Sequence, residues 1–274
     1  MTELYRGMDR TALRAAYDNV AAVADVAERM LGFQARSTAL YEAVPCRRDL
    51  RYGPLPRQRF DWLPCGQTDA PVFVFIHGGY WQARSKEDFA FVASGPLGCG
   101  LNVVLAEYTL APEASMTQIV GEIDALLAAL AADRDGLGMR GPICLAGHSA
   151  GGQLSALYRA HQAVVHAMPI SALVDLEPIA LSWLNDKLQL TPAEIAAYSP
   201  MRHIGKGVPM TVTVGTAELP ELVRHSEDYV AACRQAGETV AFVPLPECNH
   251  FTILDDLARV DGVQMCALNE GMKR

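Results

Sequence analysis

The chain has 274 residues, half of them hydrophobic and a fifth charged, and carries a formal net charge of −8. That length and apolar content suffice for a sizeable core and exclude wholesale disorder. The acidic balance argues against a nucleic-acid or anionic-membrane partner, since either calls for a basic surface.

The first elements are helical. In "RTALRAAYDNVAAVADVAERML", Leu13, Tyr17, Val20, Val23, Val26 and Met30 recur at steps of three or four, and the helical texture lasts to about residue 45. "CRRDLRYG" and "RQRFDWLP", separated by "PLP", predict the edge strands of an antiparallel hairpin. "APVFVFI" is a continuous apolar run, as expected of a strand buried on both faces. Thereafter strands and helices alternate: "LNVVLAEY", then the amphipathic "SMTQIVGEIDALLAALAAD"; "GPICLAG", then "SAGGQLSALYRAHQ"; "AVVHAMPIS" and "MTVTVG", then "LPELVRHSEDYVAACRQAG"; and a last strand in "TVAFVPL". Such alternation predicts right-handed βαβ units and a mostly parallel sheet with helices on both faces. No repeat or linker divides residues 1–274, so a single domain is expected. Residues 175–200 are an insertion between strands and a candidate lid. The helical segment 1–45 has two roles open to it, covering the active site or making a homodimer contact.

The seven cysteines are scattered without a C-x-x-C pair, which points to neither a zinc site nor a disulfide framework and fits free thiols in a reducing cytoplasm. The N-terminus lacks the apolar run of a signal peptide, and no apolar stretch approaches the roughly 18 residues that span a membrane. These features predict a cytoplasmic protein whose partner is a small-molecule substrate, with no nucleic acid or membrane.

The chemistry is concentrated in "ICLAGHSAGG". Gly147, His148, Ser149, Ala150 and Gly151 form G-x-S-x-G between a strand and a helix, the context of a nucleophile elbow. Small neighbours allow a tight turn that lifts the Ser149 hydroxyl above the sheet, and the helix N-terminus faces a developing oxyanion. A serine hydroxyl needs a base. His161 and His225 fall on predicted helices, His166 precedes a strand, His203 sits in a polar loop, and His148 cannot turn back to its neighbour. His250, in a loop after the last strand, has the position expected of the base when the chain order is Ser, acid, His. The acid is expected just past "MTVTVG". Glu218 directly follows the strand end, while Glu221 already belongs to the first helical turn, where a carboxylate also interacts favourably with the dipole. Asp175 is a weaker rival, a whole strand earlier.

"VFVFIHGGYWQ" supplies the remaining parts. Gly78 and Gly79 follow a buried strand, and their missing side chains leave their N–H groups approachable, so these two amides and that of Ala150 are the expected oxyanion donors. His77 reads as a brace for the loop. Tyr80 and Trp81 follow the glycines and are candidate walls for an aromatic leaving group, with Trp183 and Tyr198 on the lid as candidates to close it. Packing of the loop against the sheet is the competing role for Trp81.

Together "FIHGGYWQ", "SKEDFAF", "GHSAG", "VDLEPI", "LQLT", "SP", "VGTAELPELVRHS" and "NHFTIL" resemble the α/β-hydrolase superfamily, and within it the kynurenine formamidase (arylformamidase) group. The resemblance covers about Pro71 to Leu254. It implies an α/β-hydrolase fold, Ser149 as nucleophile, Glu218 as acid, His250 as base, and Gly78, Gly79 and Ala150 as oxyanion donors. It also implies hydrolysis of N-formyl-L-kynurenine to kynurenine and formate, with neither cofactor nor metal. The chain departs from the group's pattern in having Glu218 where animal enzymes usually have Asp, Asn249 where an acidic residue precedes the histidine, and Leu222 in place of a phenylalanine. Carboxylesterase activity on small acyl esters is the alternative, and a non-catalytic small-ligand receptor of the same fold is the next.

Overall fold

The computed structural model describes residues 3–272 apart from 68, 134, 135 and 206. Eight strands form one sheet: β1 (Arg47–Arg51), β2 (Arg59–Leu63), β3 (Val72–Ile76), β4 (Asn102–Ala106), β5 (Ile143–His148), β6 (Val164–Ile170), β7 (Met210–Gly215) and β8 (Val240–Leu245), in the order β1-β2-β4-β3-β5-β6-β7-β8. β1 and β2 pair antiparallel, as does β2 with β4, and the other pairs are parallel. This is the α/β-hydrolase arrangement expected from the sequence.

Period-two alternation sorts the core. Val72, Val74 and Ile76 join one apolar cluster with Ile119, Ile123 and Leu127 of the helix Met116–Ala131; Phe73 and Phe75 face the other way into a cluster with Phe33, Phe89 and Phe91. β3 is therefore buried on both faces at every position. It is also where the strand order reverses, so the loops leaving the carboxyl ends of β3 and β5 diverge around a crevice. In the register of that pair Ile76 lies opposite Gly147, which brings the segment after Ile76 beside Ser149.

Two expectations need correction. β2 is not an edge strand: it lies between β1 and β4, and Phe60, Asp61, Trp62 and Leu63 are buried. Its arginine-rich start suggested exposure, but those charges sit at one end of the strand. The apolar spacing from Leu13 to Met30 does not run unbroken: the segment forms two helices, Arg10–Tyr17 and Val26–Ala43, and Val20 in the connection is 52% exposed. Asp18 breaks the pattern by accepting a hydrogen bond from the backbone of Ala21 at 3.1 Å, the local competition that makes Asp-Asn a turn former. Residues 175–200 hold three short helices, Glu177–Leu181, Asn185–Leu188 and Pro192–Tyr198. Among the described residues no helix is long and apolar enough to cross a membrane.

Candidate active site

Ser149 sits between β5 and the helix Ala150–Leu157 with φ of 57° and ψ of −114°, a left-handed conformation that costs a non-glycine residue energy. The turn is fixed around it. Its N–H donates to Ile170 O at 2.8 Å, and a Cβ on Gly147 would meet Gly151 O at 2.1 Å, while one on Gly151 would meet Ile76 O at 2.0 Å. Both glycines of G-x-S-x-G are thus required by backbone approach. Ala150 is the first residue of the helix, so its N–H has no intrahelical acceptor.

The loop after β3 holds a run of left-handed residues, Gly79, Tyr80 and Trp81, with φ of 114°, 52° and 58°. A Cβ on Gly79 would come within 2.2 Å of Ala83 O, and Gly79 O accepts from the N–H groups of Gln82 and Ala83. Strained backbone of this kind persists only where its surroundings over-determine it. Here they do. His77 is fully buried, with Nδ1 2.7 Å from Gly78 O and Nε2 3.0 Å from Glu107 Oε1, and its ring is stacked on Tyr108 with centroids 4.6 Å apart. Arg57 donates to Glu107 and to the carbonyls of Tyr108 and Arg84. Burial raises the pKa of Glu107, but the neighbouring His77 and Arg57 outweigh it and hold the carboxyl below its ordinary value. His77 is the brace that the sequence suggested; Arg57 and Glu107 carry no local motif and were not anticipated.

The three candidate acids separate clearly. Glu218 Oε2 accepts from His250 Nδ1 at 2.7 Å, while Oε1 accepts from Ser171 Oγ at 2.5 Å and from Gly215 N–H at 2.8 Å. Glu221 is instead paired with Arg224 at 2.6 Å and accepts from Tyr17 OH, and Asp175 accepts from Tyr5 OH and from its own turn. His250 is further held through its carbonyl, which accepts from His148 Nε2–H at 2.8 Å, with the two imidazoles 4.5 Å apart. Burial, reinforced by the nearby His250, pushes the pKa of His148 well below that of a free histidine, so it serves as a neutral donor.

Ser149 and His250 line one cavity of about 60 Å³ together with Gly79, Tyr80, Arg84, Phe89, His148, Phe251, and Asn19, Val20 and Met30 from the N-terminal segment. No hydrogen bond joins Ser149 Oγ to His250 among the described residues; such bonds are often long before substrate binds and tighten in the reacting complex. Of the aromatic candidates only Tyr80 lines this cavity. Trp81 is wholly buried and donates its indole N–H to Gln153 Oε1 at 3.2 Å, which makes it a packing residue. Trp183 lies under the Arg14 guanidinium at 5.2 Å, and Tyr198 lines a separate surface groove with Pro112 and Glu194. Thus the expected lid residues do not border Ser149, and the N-terminal segment does. Among the described residues no group of three or more His, Cys, Asp or Glu is placed to hold a metal ion.

A profile of the α/β-hydrolase fold matches residues 73–194. The kynurenine formamidase of Danio rerio is 29% identical over 225 residues, 76% of this chain and 76% of that protein. That of Salmo salar is 29% identical over 209 residues, 71% of this chain and 69% of that protein. The crystal structure of a candidate thioesterase from Silicibacter sp. superposes with a TM-score of 0.85 at 29% identity, covering 93% of this chain and 98% of that one.

Proposed function

We propose that this chain, which belongs to the α/β-hydrolase superfamily, is a serine hydrolase that cleaves N-formyl-L-kynurenine or a similar N-formyl aryl amide to the amine and formate. The observation that carries the reading is that His250, paired with Glu218, lines one cavity with a left-handed Ser149. The similarity to kynurenine formamidases points to the substrate class. The small space around Ser149, about 60 Å³, suits a formyl group better than a bulky acyl chain.

In this reaction Ser149 Oγ attacks the formyl carbon while His250 Nε2 takes its proton. Glu218 holds Nδ1–H, fixing the tautomer and stabilising the imidazolium. The N–H groups of Gly78, Gly79 and Ala150 receive the oxyanion; losing one such donor typically costs about 3 kcal/mol of transition-state stabilisation. The C–N bond then breaks as His250 returns the proton to the departing nitrogen. Water, activated by the same histidine, attacks the formyl-enzyme and releases formate. All seven cysteines are free thiols, which supports a place in the reducing cytoplasm.

The test is hydrolysis of N-formyl-L-kynurenine and of p-nitrophenyl acetate by the purified protein, with Ser149→Ala as the blank. A kcat/KM several orders of magnitude higher for the formamide is the expected result. Turnover of the ester alone would leave Ser149 as nucleophile and replace the substrate with a small acyl ester.

A further inference from the structure

The connection between the first two helices crosses the active site. Asn19, in that connection, is 2% exposed and donates from Nδ2 to Tyr80 OH at 2.8 Å. The orientation of its amide is determined by what lies beyond. Tyr80 spends its own hydroxyl hydrogen on the carbonyl of Tyr17, an acceptor only, so towards Asn19 it can only accept. Asn19 must therefore present its NH₂ to Tyr80 and its Oδ1 elsewhere. That Oδ1 is buried and has no hydrogen-bond partner among the described residues. A buried acceptor left unpaired is unfavourable and calls for an explanation.

Its surroundings suggest one. Asn19 and His250 are the two residues shared by the cavities on either side of this connection. One is the space of about 60 Å³ at Ser149; the other, of about 380 Å³, is lined by Ala22, Val23, Ala24 and Asp25 on one side and Glu218, Leu219, Pro220 and Asn249 on the other. The first has room for one or two waters at about 30 Å³ each, hence for a formyl group and not for a ring. The second is large enough for a ring. A substrate with its formyl carbon at Ser149 and its aryl group in the larger cavity would pass Asn19 and His250, the two residues that both cavities share.

We propose that Asn19 determines specificity for amides over esters, its Oδ1 accepting the N–H of the scissile formamide. The assignment rests on the formamidase reading above and adds to it the group that recognises the leaving nitrogen. That nitrogen gains a proton from His250 and becomes positively charged as the C–N bond breaks, so the hydrogen bond to Oδ1 strengthens on the way to the transition state. An ester offers an oxygen without hydrogen at the same place and leaves Oδ1 unpaired.

The experiment compares kcat/KM for formanilide and for phenyl formate, two substrates that differ at the leaving atom, in the wild type and in Asn19→Ala. The variant should lose about 10- to 100-fold on formanilide, the range of a hydrogen bond to a charging group. Its loss on phenyl formate, which reports only the lost anchor on Tyr80, should be smaller by about 10-fold or more. Equal losses on both substrates would show that Asn19 only anchors the connection, and unchanged formanilide turnover would show that it does not touch the nitrogen; either overturns the assignment and leaves the formamidase reading intact. A wild type that cleaves phenyl formate but not formanilide would overturn the formamidase reading and with it the role given to Asn19. If Asn19→Ala does not fold, Asn19→Ser keeps a polar side chain too short to reach the nitrogen, and the same ratio decides.

Discussion

Removing the Ser171 hydroxyl tests how the acid is positioned. Ser171 is wholly buried at the end of β6, and its hydroxyl donates to Glu218 Oε1 at 2.5 Å beside the Gly215 N–H at 2.8 Å. The other oxygen, Oε2, is left for His250. Losing the entire acid in a triad of this type costs about four powers of ten in kcat. Ser171→Ala removes one of two anchors on the far oxygen, a charge-assisted bond of about 1.5–3 kcal/mol, and only part of that reaches the histidine. The expected fall in kcat is about 10-fold, or about 1.4 kcal/mol, with KM little changed because Ser171 lines neither cavity. Backbone strain complicates a single variant, since Ser171 has φ of 49°. Ser171→Gly removes the same hydroxyl while relieving that strain, so it should be the more stable of the two by about 1 kcal/mol yet equally slow. Steady-state kinetics and thermal melts on both variants separate the effects. If both keep kcat within about 2-fold of wild type, the hydroxyl does not position Glu218 and the reasoning fails.

Other predictions follow from the same geometry. Ser149→Ala should abolish turnover of formamide and ester alike in a continuous absorbance assay. Gly79→Ala should inactivate the enzyme and lower its melting temperature, because the new Cβ would lie 2.2 Å from Ala83 O at a φ of 114°. Glu221→Gln should change kcat by less than about 2-fold, since Glu221 pairs with Arg224 and Tyr17, while protease susceptibility at the N-terminal helix increases. Burial lowers the pKa of both His166 and His225 to about 4, with Arg224 adding to the effect at His225. The unfolded chain then binds more protons between about pH 6.5 and 4, so stability falls with pH across that window, by up to about 3 kcal/mol for each histidine. Melts from pH 7 to 4 should show the decline, and His166→Gln should remove roughly half of it, leaving the part due to His225.

The residues legible in the sequence are those whose chemistry is local. G-x-S-x-G announces itself because the glycines answer to backbone approaches within one turn, and "VFVFI" because a strand covered on both faces has nowhere to place a polar residue. His250 and Glu218, singled out by their place after strand ends, are paired in the structure. The others act across the chain. Arg57 reaches the loop after β3 from the hairpin, and Ser171 meets Glu218 from a neighbouring strand; neither has a spacing to betray it. The segment 175–200 is opaque for a related reason. An insertion between strands is conspicuous in sequence, but whether it borders Ser149 depends on which way its short helices pack, and none of its residues lines that cavity. The aromatic run suffered likewise: Tyr80 and Trp81 are adjacent, yet their positive φ angles send one to the cavity and the other into the core.

The broken N-terminal helix is the most consequential of these surprises, because its break links the site to the rim of the fold. Tyr17 ends the first helix with its carbonyl on Tyr80 and its hydroxyl on Glu221, 2.9 Å from His225 Nε2. Tyr5, on the same segment, donates to Asp175 and meets Arg224. An uninterrupted helix from Arg10 to Met30 would carry residue 19 along its own axis. The Asp18-Asn19 turn instead drops that residue onto Tyr80 of the loop after β3. Docking of the first helix against the helix Pro220–Gln235 thus fixes where Asn19 lies, some 130 residues upstream of Ser149. On this argument a truncation that removes residues 1–25 should open both cavities and weaken the preference for amides. The loop after β3, braced separately by His77, Arg57 and Glu107, should still support ester hydrolysis.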